Sequence, residues 1–154
     1  MNRKSLVLSV AIWTLVFGSN AFGQDKDVDT IRSLLEQVAA LMQAKDLAPL
    51  DEIYASGRGV HIIEGAGVNH GWEDYRDHHL VPELQAFENF QYRIFAIEPQ
   101  VRDNIAFTAF RYELSADTSS GHLEIEGRGT VVLEKFGSQW KIVHSHTSGR
   151  PKAN

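Results

Sequence analysis

The chain has 154 residues, enough for one domain with a sizeable core. Its 15 Lys and Arg stand against 20 Asp and Glu, a formal net charge of −5, and no basic stripe compensates, which excludes a phosphate-backbone partner such as nucleic acid. The absence of cysteine excludes disulfides, thiolate metal sites, a cysteine nucleophile and a lipid-modified cysteine.

The first segment reads as a secretory signal peptide. Arg3 and Lys4 make a short positive region, Leu6 to Phe17 is apolar, and Ala21-Phe22-Gly23 places small residues before a cut. Residues 1–23 are therefore expected to be removed, leaving 24–154 as the domain. The competing reading is a membrane anchor, but the apolar run is shorter than the ~20 residues a span needs. Removal of Arg3 and Lys4 takes the basic count from 15 to 13 against 20 acids, a net charge of −7. A disulfide-free exported domain must rely on packing alone, and a periplasmic or secreted location is expected, with no membrane association after cleavage.

From Asp25 the spacing predicts an amphipathic helix, with Val28, Ile31, Leu34, Leu35, Val38, Leu41 and Met42 on one stripe. Asp25, Asp27 and Asp29 fall at its start, where carboxylates cap free N–H groups. Asp46 opens a shorter helix with Pro49 in its first turn and Leu47, Leu50, Ile53 and Tyr54 as its buried side. Gly57-Arg58-Gly59 marks a turn, and Val60 to Glu64 is a short strand broken by Gly65-Ala66-Gly67. A third helix is predicted from Trp72 to Val81, ended by Pro82. Its aromatic face carries Trp72, Tyr75 and His79, while His78 points to solvent.

The remainder is β-rich. Phe90–Glu98, Asn104–Ala116, His122–Phe136 and Gln139–Ser148 read as long strands, separated by Pro99 to Asp103, Asp117 to Gly121, and Gly137-Ser138. The last two breaks are short enough for antiparallel hairpins. Helices followed by a meander predict an α+β domain, a curved antiparallel sheet wrapped around its helices. In the last strand, strict alternation puts Trp140, Ile142, His144, His146 and Ser148 on one side. Such a stripe leaves a hydrophobic core and enters a polar cavity.

The order of elements and the closing residues resemble the nuclear transport factor 2-like superfamily. The similarity is to its SnoaL-like and ketosteroid-isomerase-like branch, and to the association domain of calcium/calmodulin-dependent kinases. Gly129 to Lys135, Gly137, and Trp140 to Gly149 carry it, the ending reading Trp-x-x-Val-His-x-His-x-Ser-Gly. Ala109-Phe110-Arg111 also resembles the segment holding the association domain's pocket arginine. The resemblance implies a cystatin-like α+β roll, a conical cavity between sheet and helices, and dimerisation through the sheet. The aspartate base and oxyanion site of ketosteroid isomerases match no motif here, nor does the histidine–aspartate arrangement of SnoaL-type cyclases. The family requires no metal, and no cofactor is expected.

His144, His146 and His79 are the candidate acid–base groups, since imidazole titrates near neutral pH. The alternative for the last-strand pair is a structural one, hydrogen-bonded at the edge of the core. Arg111, Trp72, Tyr75, Tyr92 and Ser148 are candidate ligand-binding residues, although aromatics at such spacing are more often plain core. Arg111 either binds an anion or pairs with Glu113, Glu124 or Glu126. His144 and His146 also suit a divalent metal if His79 and Glu83 or His61 complete the set, although only the pair's spacing supports it. Glu64 and Asp46 are conceivable acids at the cavity mouth. Together these point to an exported, homodimeric domain that binds a small organic molecule and acts as an isomerase- or lyase-type enzyme. A non-catalytic assembly module and a metal site stand as alternatives.

Overall fold

The computed structural model describes residues 19–153, with side chains from residue 23. Most of the signal segment expected at 1–23 lies outside the described residues. Helix α1 spans Ser19–Ala44 and thus begins before Asp25. Asp27 is therefore no helix cap. Its carboxylate instead accepts from Lys135 Nζ at 2.8 Å and from Trp140 Nε1 at 3.0 Å. Ile31, Leu35, Val38 and Met42 are buried, as their spacing predicts. The helix stops where Lys45 turns left-handed at φ 57°, with Asp46 N–H reaching back to Leu41 O at 3.0 Å.

Helix α2 is a single turn, Leu50–Ile53, and its C-terminal Tyr54 bridges to Ile142. Strands β1 (His61–Glu64) and β2 (Gly67–His70) form a hairpin, with Gly65 in the left-handed region at φ 57°. Helix α3 (Trp72–Tyr75) runs through a π-helical turn at Arg76–Leu80 into α4 (Val81–Ala86). Pro82 was expected to end this helix, but it sits inside the first turn of α4. The ring lacks an N–H and clashes with the carbonyl one turn back in a regular helix. The wider π turn just before it, where Val81 N–H bonds Arg76 O, accommodates that defect.

Strands β3 (Glu88–Arg102), β4 (Ile105–Thr118), β5 (Gly121–Phe136) and β6 (Gln139–Pro151) complete a six-stranded sheet in the order β2-β1-β6-β5-β4-β3. All neighbours are antiparallel except β1 and β6. Pro99 does not break β3 as expected. The strand continues to Arg102, because it lies at the sheet edge, where a missing N–H need not be paired. A register shift between Phe95 and Glu98, with Ala96 at φ 51°, bends it instead.

A second register shift decides where the cavity residues lie. Leu133 pairs with Ile142 but Val132 pairs with His144, leaving Val143 as an extra residue in β6. One inserted residue exchanges the faces of everything after it. Trp140 and Ile142 face the helices, as predicted. Beyond the bulge Ser145 and Thr147 take that inner face, while His144, His146 and Ser148 turn outward. The sequence expectation of a continuous inner stripe is thereby corrected.

The inner face is floored by glycines. A side chain added at Gly129 would collide with the Phe110 ring, and one at Gly127 with the Tyr112 ring, so these aromatics lie down over the sheet. The outer face carries the exposed large apolar residues Val68, Ile105, Phe107 and Phe136. No described helix is long and apolar enough to cross a membrane.

Candidate active site

A cavity lies between the inner face of the sheet, α1 and the α3–α4 helix, as the cone architecture requires. A water molecule's centre can move through about 70 Å³ of it. That is room for several waters or one small organic molecule. Leu35, Leu80, Phe87, Phe110, Val131 and Ile142 supply apolar wall. The polar lining is Glu64, Glu83, Ser145, Thr147 and four tyrosines, 54, 75, 92 and 112, with no lysine or arginine.

Glu64 is placed by β1, where Ile62 and Glu64 alternate inward opposite Ser145 and Thr147 of β6. Its Oε2 accepts from the Tyr75 hydroxyl at 3.1 Å and lies 3.5 Å from His79 Nε2. Glu83 Oε1 lies 3.5 Å from the same nitrogen. His79 and Glu83 come from the π turn and α4, four residues apart, so one helical side presents both. The three groups each offer one ligand atom within 4.8 Å of the others, a set that could hold a divalent cation.

Electrostatics separates the acids from the phenols. Burial, and then the neighbouring Glu64 charge, push the Glu83 carboxyl above the ordinary range, and the His79 attraction only partly offsets this. Burial raises Tyr54, Tyr75 and Tyr92, with Glu64 adding to each, so all three remain neutral donors. The Tyr54 side chain is buried, yet its hydroxyl makes no hydrogen bond among the described residues, and neither does that of Tyr92. No sealed side-chain polar atom lacks a partner there, so both hydroxyls open onto the cavity.

Of the residues singled out from sequence, Tyr75 and Tyr92 line the cavity and His79 stands at its mouth. Trp72 does not line it. It is buried in the core, stacked on Tyr54 at 4.2 Å between ring centres and donating to Asp51 at 2.6 Å. His144, His146, Ser148 and Arg111 are on the outer face, where the β6 bulge and the β4 alternation put them. His144 and His146 therefore do not converge with His79 and Glu83. Arg111 pairs with none of the three expected glutamates. Its guanidinium lies 5.3 Å from the centre of the Phe95 ring, and Arg128 is its cross-strand neighbour. Sequence reasoning assigned Tyr54 to the core and gave Ser145 and Thr147 no role. The alternation of Ile62 and Glu64 was a signal for Glu64. Nothing in the residues marked the bulge that brings Ser145 inward.

A helix-backed, curved, unclosed sheet enclosing a polar-tipped cavity defines the nuclear transport factor 2-like architecture. Within it, the model of the SnoaL-like domain family matches residues 31–151, and the chain belongs to that family. Similar solved structures include a nuclear transport factor 2-like superfamily protein from Salmonella enterica serovar Typhimurium LT2. It is 18% identical with a TM-score of 0.75, over 84% of this chain and 95% of that one. A proposed ketosteroid isomerase from Shewanella frigidimarina is 21% identical with a TM-score of 0.66, over 75% and 92% of the two chains. A proposed dehydratase from Streptomyces avermitilis is 15% identical with a TM-score of 0.68, over 84% and 99%. At these identities the likeness is one of fold. No curated protein matches the sequence.

Proposed function

We propose that this protein binds a small polar organic molecule and moves a proton on it, as an isomerase or dehydratase does. The observation that carries the reading is Glu64, a carboxylate in the cavity wall held by the Tyr75 hydroxyl at 3.1 Å and flanked by His79 and Glu83. Glu64 takes a proton from carbon next to a carbonyl. The C–H electron pair moves onto the carbonyl oxygen, and the unpartnered Tyr54 or Tyr92 hydroxyl donates to the resulting enolate. Return of the proton from Glu64 to a conjugated carbon isomerises the substrate. Alternatively the enolate expels a hydroxyl at the next carbon, which leaves as water with the proton Glu64 has just taken. The likeness to a proposed ketosteroid isomerase and a proposed dehydratase fits this class.

The test is deuterium exchange next to the carbonyl of acetone and cyclohexanone in D₂O, followed by proton NMR. Wild type should exceed the buffer rate, and Glu64→Gln should lose about 100-fold or more without a matching loss of melting temperature. Exchange at the buffer rate in wild type, or undiminished exchange in the variant, rejects the reading. Export belongs to the same proposal. Arg3, Lys4 and the Leu6–Phe17 run support removal of residues 1–23, which intact-mass measurement of protein from the native host would check. Self-association through the outer sheet face is supported by the exposed Val68, Ile105 and Phe107 there, with sedimentation velocity as its check.

A further inference from the structure

The proton-transfer reading leaves the charge of the ligand open, and the composition of the cavity bears on it. Among the described residues Glu64 and Glu83 have His79 as their only basic neighbour within 4 Å. The lining holds two carboxylates and no lysine or arginine, so an anionic ligand would enter against two like charges. Among aliphatic side chains, the inner walls include the rings of Tyr54, Tyr75, Tyr92, Tyr112 and Phe110, and aromatic faces carry partial negative charge. Tyr54 is 5% exposed and its hydroxyl opens on the cavity without a partner, a donor waiting for an oxygen acceptor. A carboxylate pair at the mouth, an aromatic box behind it and a free phenol donor make a complementary set.

We infer that the site takes a small organic cation, an ammonium compound that also carries a hydroxyl or carbonyl oxygen. The cationic head sits among the tyrosine rings near Glu64 and Glu83, and the oxygen accepts from Tyr54. A positive nitrogen next to the reacting carbon also makes its C–H more acidic, which serves the proton transfer proposed above. This inference rests on that reading for the identity of the site, but it is tested separately from it.

The experiment compares choline with 3,3-dimethylbutan-1-ol, which replaces the trimethylammonium head by an uncharged tert-butyl group of the same shape. Both are titrated into the full domain in EDTA, and binding is read from NMR shifts of cavity-lining residues. Choline should bind about tenfold or more tightly than its neutral analogue. The preference should narrow with added salt and narrow further in Glu83→Gln, which leaves Glu64 as the one remaining carboxylate of the lining. Equal binding of the two compounds overturns the cation inference and leaves the cavity a general binding site. Binding of neither, with ketone exchange intact, also overturns it and leaves proton transfer standing. Failure of both the cation and the ketone experiments removes both. A choline response seen only without EDTA would assign Glu64, His79 and Glu83 to a metal ion and likewise overturn the inference. The wild-type comparison decides the matter even if the Glu83 variant does not fold.

Discussion

Glu83→Gln should make the protein more stable at neutral pH, and the gain should disappear in acid. Burial and the Glu64 charge hold the Glu83 carboxyl above its ordinary value in the folded state. Between the unfolded value and that raised one, the folded chain keeps a proton the unfolded chain has released. Stability therefore falls as pH rises through this window, and the penalty is full above it. Its size follows from geometry. The two carboxylates have ligand oxygens within 4.8 Å of each other. At that separation a unit-charge repulsion is about 1 kcal/mol in a water-like medium. Both side chains are roughly two-fifths exposed, at 39% and 43%, so the water-like figure applies rather than an interior one. About 1 kcal/mol corresponds to a rise of roughly 3–4 °C in melting temperature for a domain of this length. Urea unfolding of wild type and variant at pH 7.5 and pH 3.5 measures it, with unchanged slopes required. A variant no more stable than wild type at pH 7.5, or equally stabilised at both pH values, would refute the electrostatic account.

Asp27→Asn should cost roughly 1.5–3 kcal/mol, because it weakens charge-assisted bonds to Lys135 and Trp140 that tie α1 to the β5–β6 hairpin. Burial pushes the Asp27 carboxyl up, but those two partners outweigh it and hold it below the ordinary value. The stability from Asp27 is thus present above the unfolded pKa and lost as pH falls through the folded one, so the variant's deficit should shrink on acid titration. Gly129→Ala should destabilise by roughly 1–3 kcal/mol, since the new methyl displaces the Phe110 ring, and NMR shifts of cavity residues should change with it. Ala96→Gly should stabilise by up to about 1 kcal/mol in urea unfolding, through relief of a left-handed alanine at φ 51°. His144→Ala and His146→Ala should leave ketone exchange at the wild-type rate; a tenfold loss would return the imidazoles to the chemistry.

The architecture was legible because it depends on periodicity. The α1 stripe and the β5–β6 hairpin follow from spacing, turn residues and alternation, each enforced by burial. The misreadings share a different cause. Pro82 and Pro99 were read as stops, yet a π turn absorbs the first and an edge position tolerates the second. His144 and His146 were placed inward by extending the alternation of Trp140 and Ile142. The one extra residue at Val143 reverses it, and no side-chain chemistry announces a bulge. Tyr75 and His79 were legible because they recur from Trp72 at steps of three and four, although His79 lies within the π turn, whereas Glu64 stood only as a conceivable acid beside Asp46. Tyr54 follows a one-turn helix, where burial alone could not distinguish a core ring from a cavity wall.

The bent outer strand has a consequence for the protein in concentrated solution. A run of fifteen residues from Glu88 to Arg102 ends the sheet and offers its backbone to any passing chain. The left-handed kink at Ala96 and the blocked nitrogen of Pro99 divide that run into pieces too short and too crooked for a second molecule to zip along. Straightening the strand by removing the Ala96 kink and Pro99 should turn the rim into a seed for fibrils.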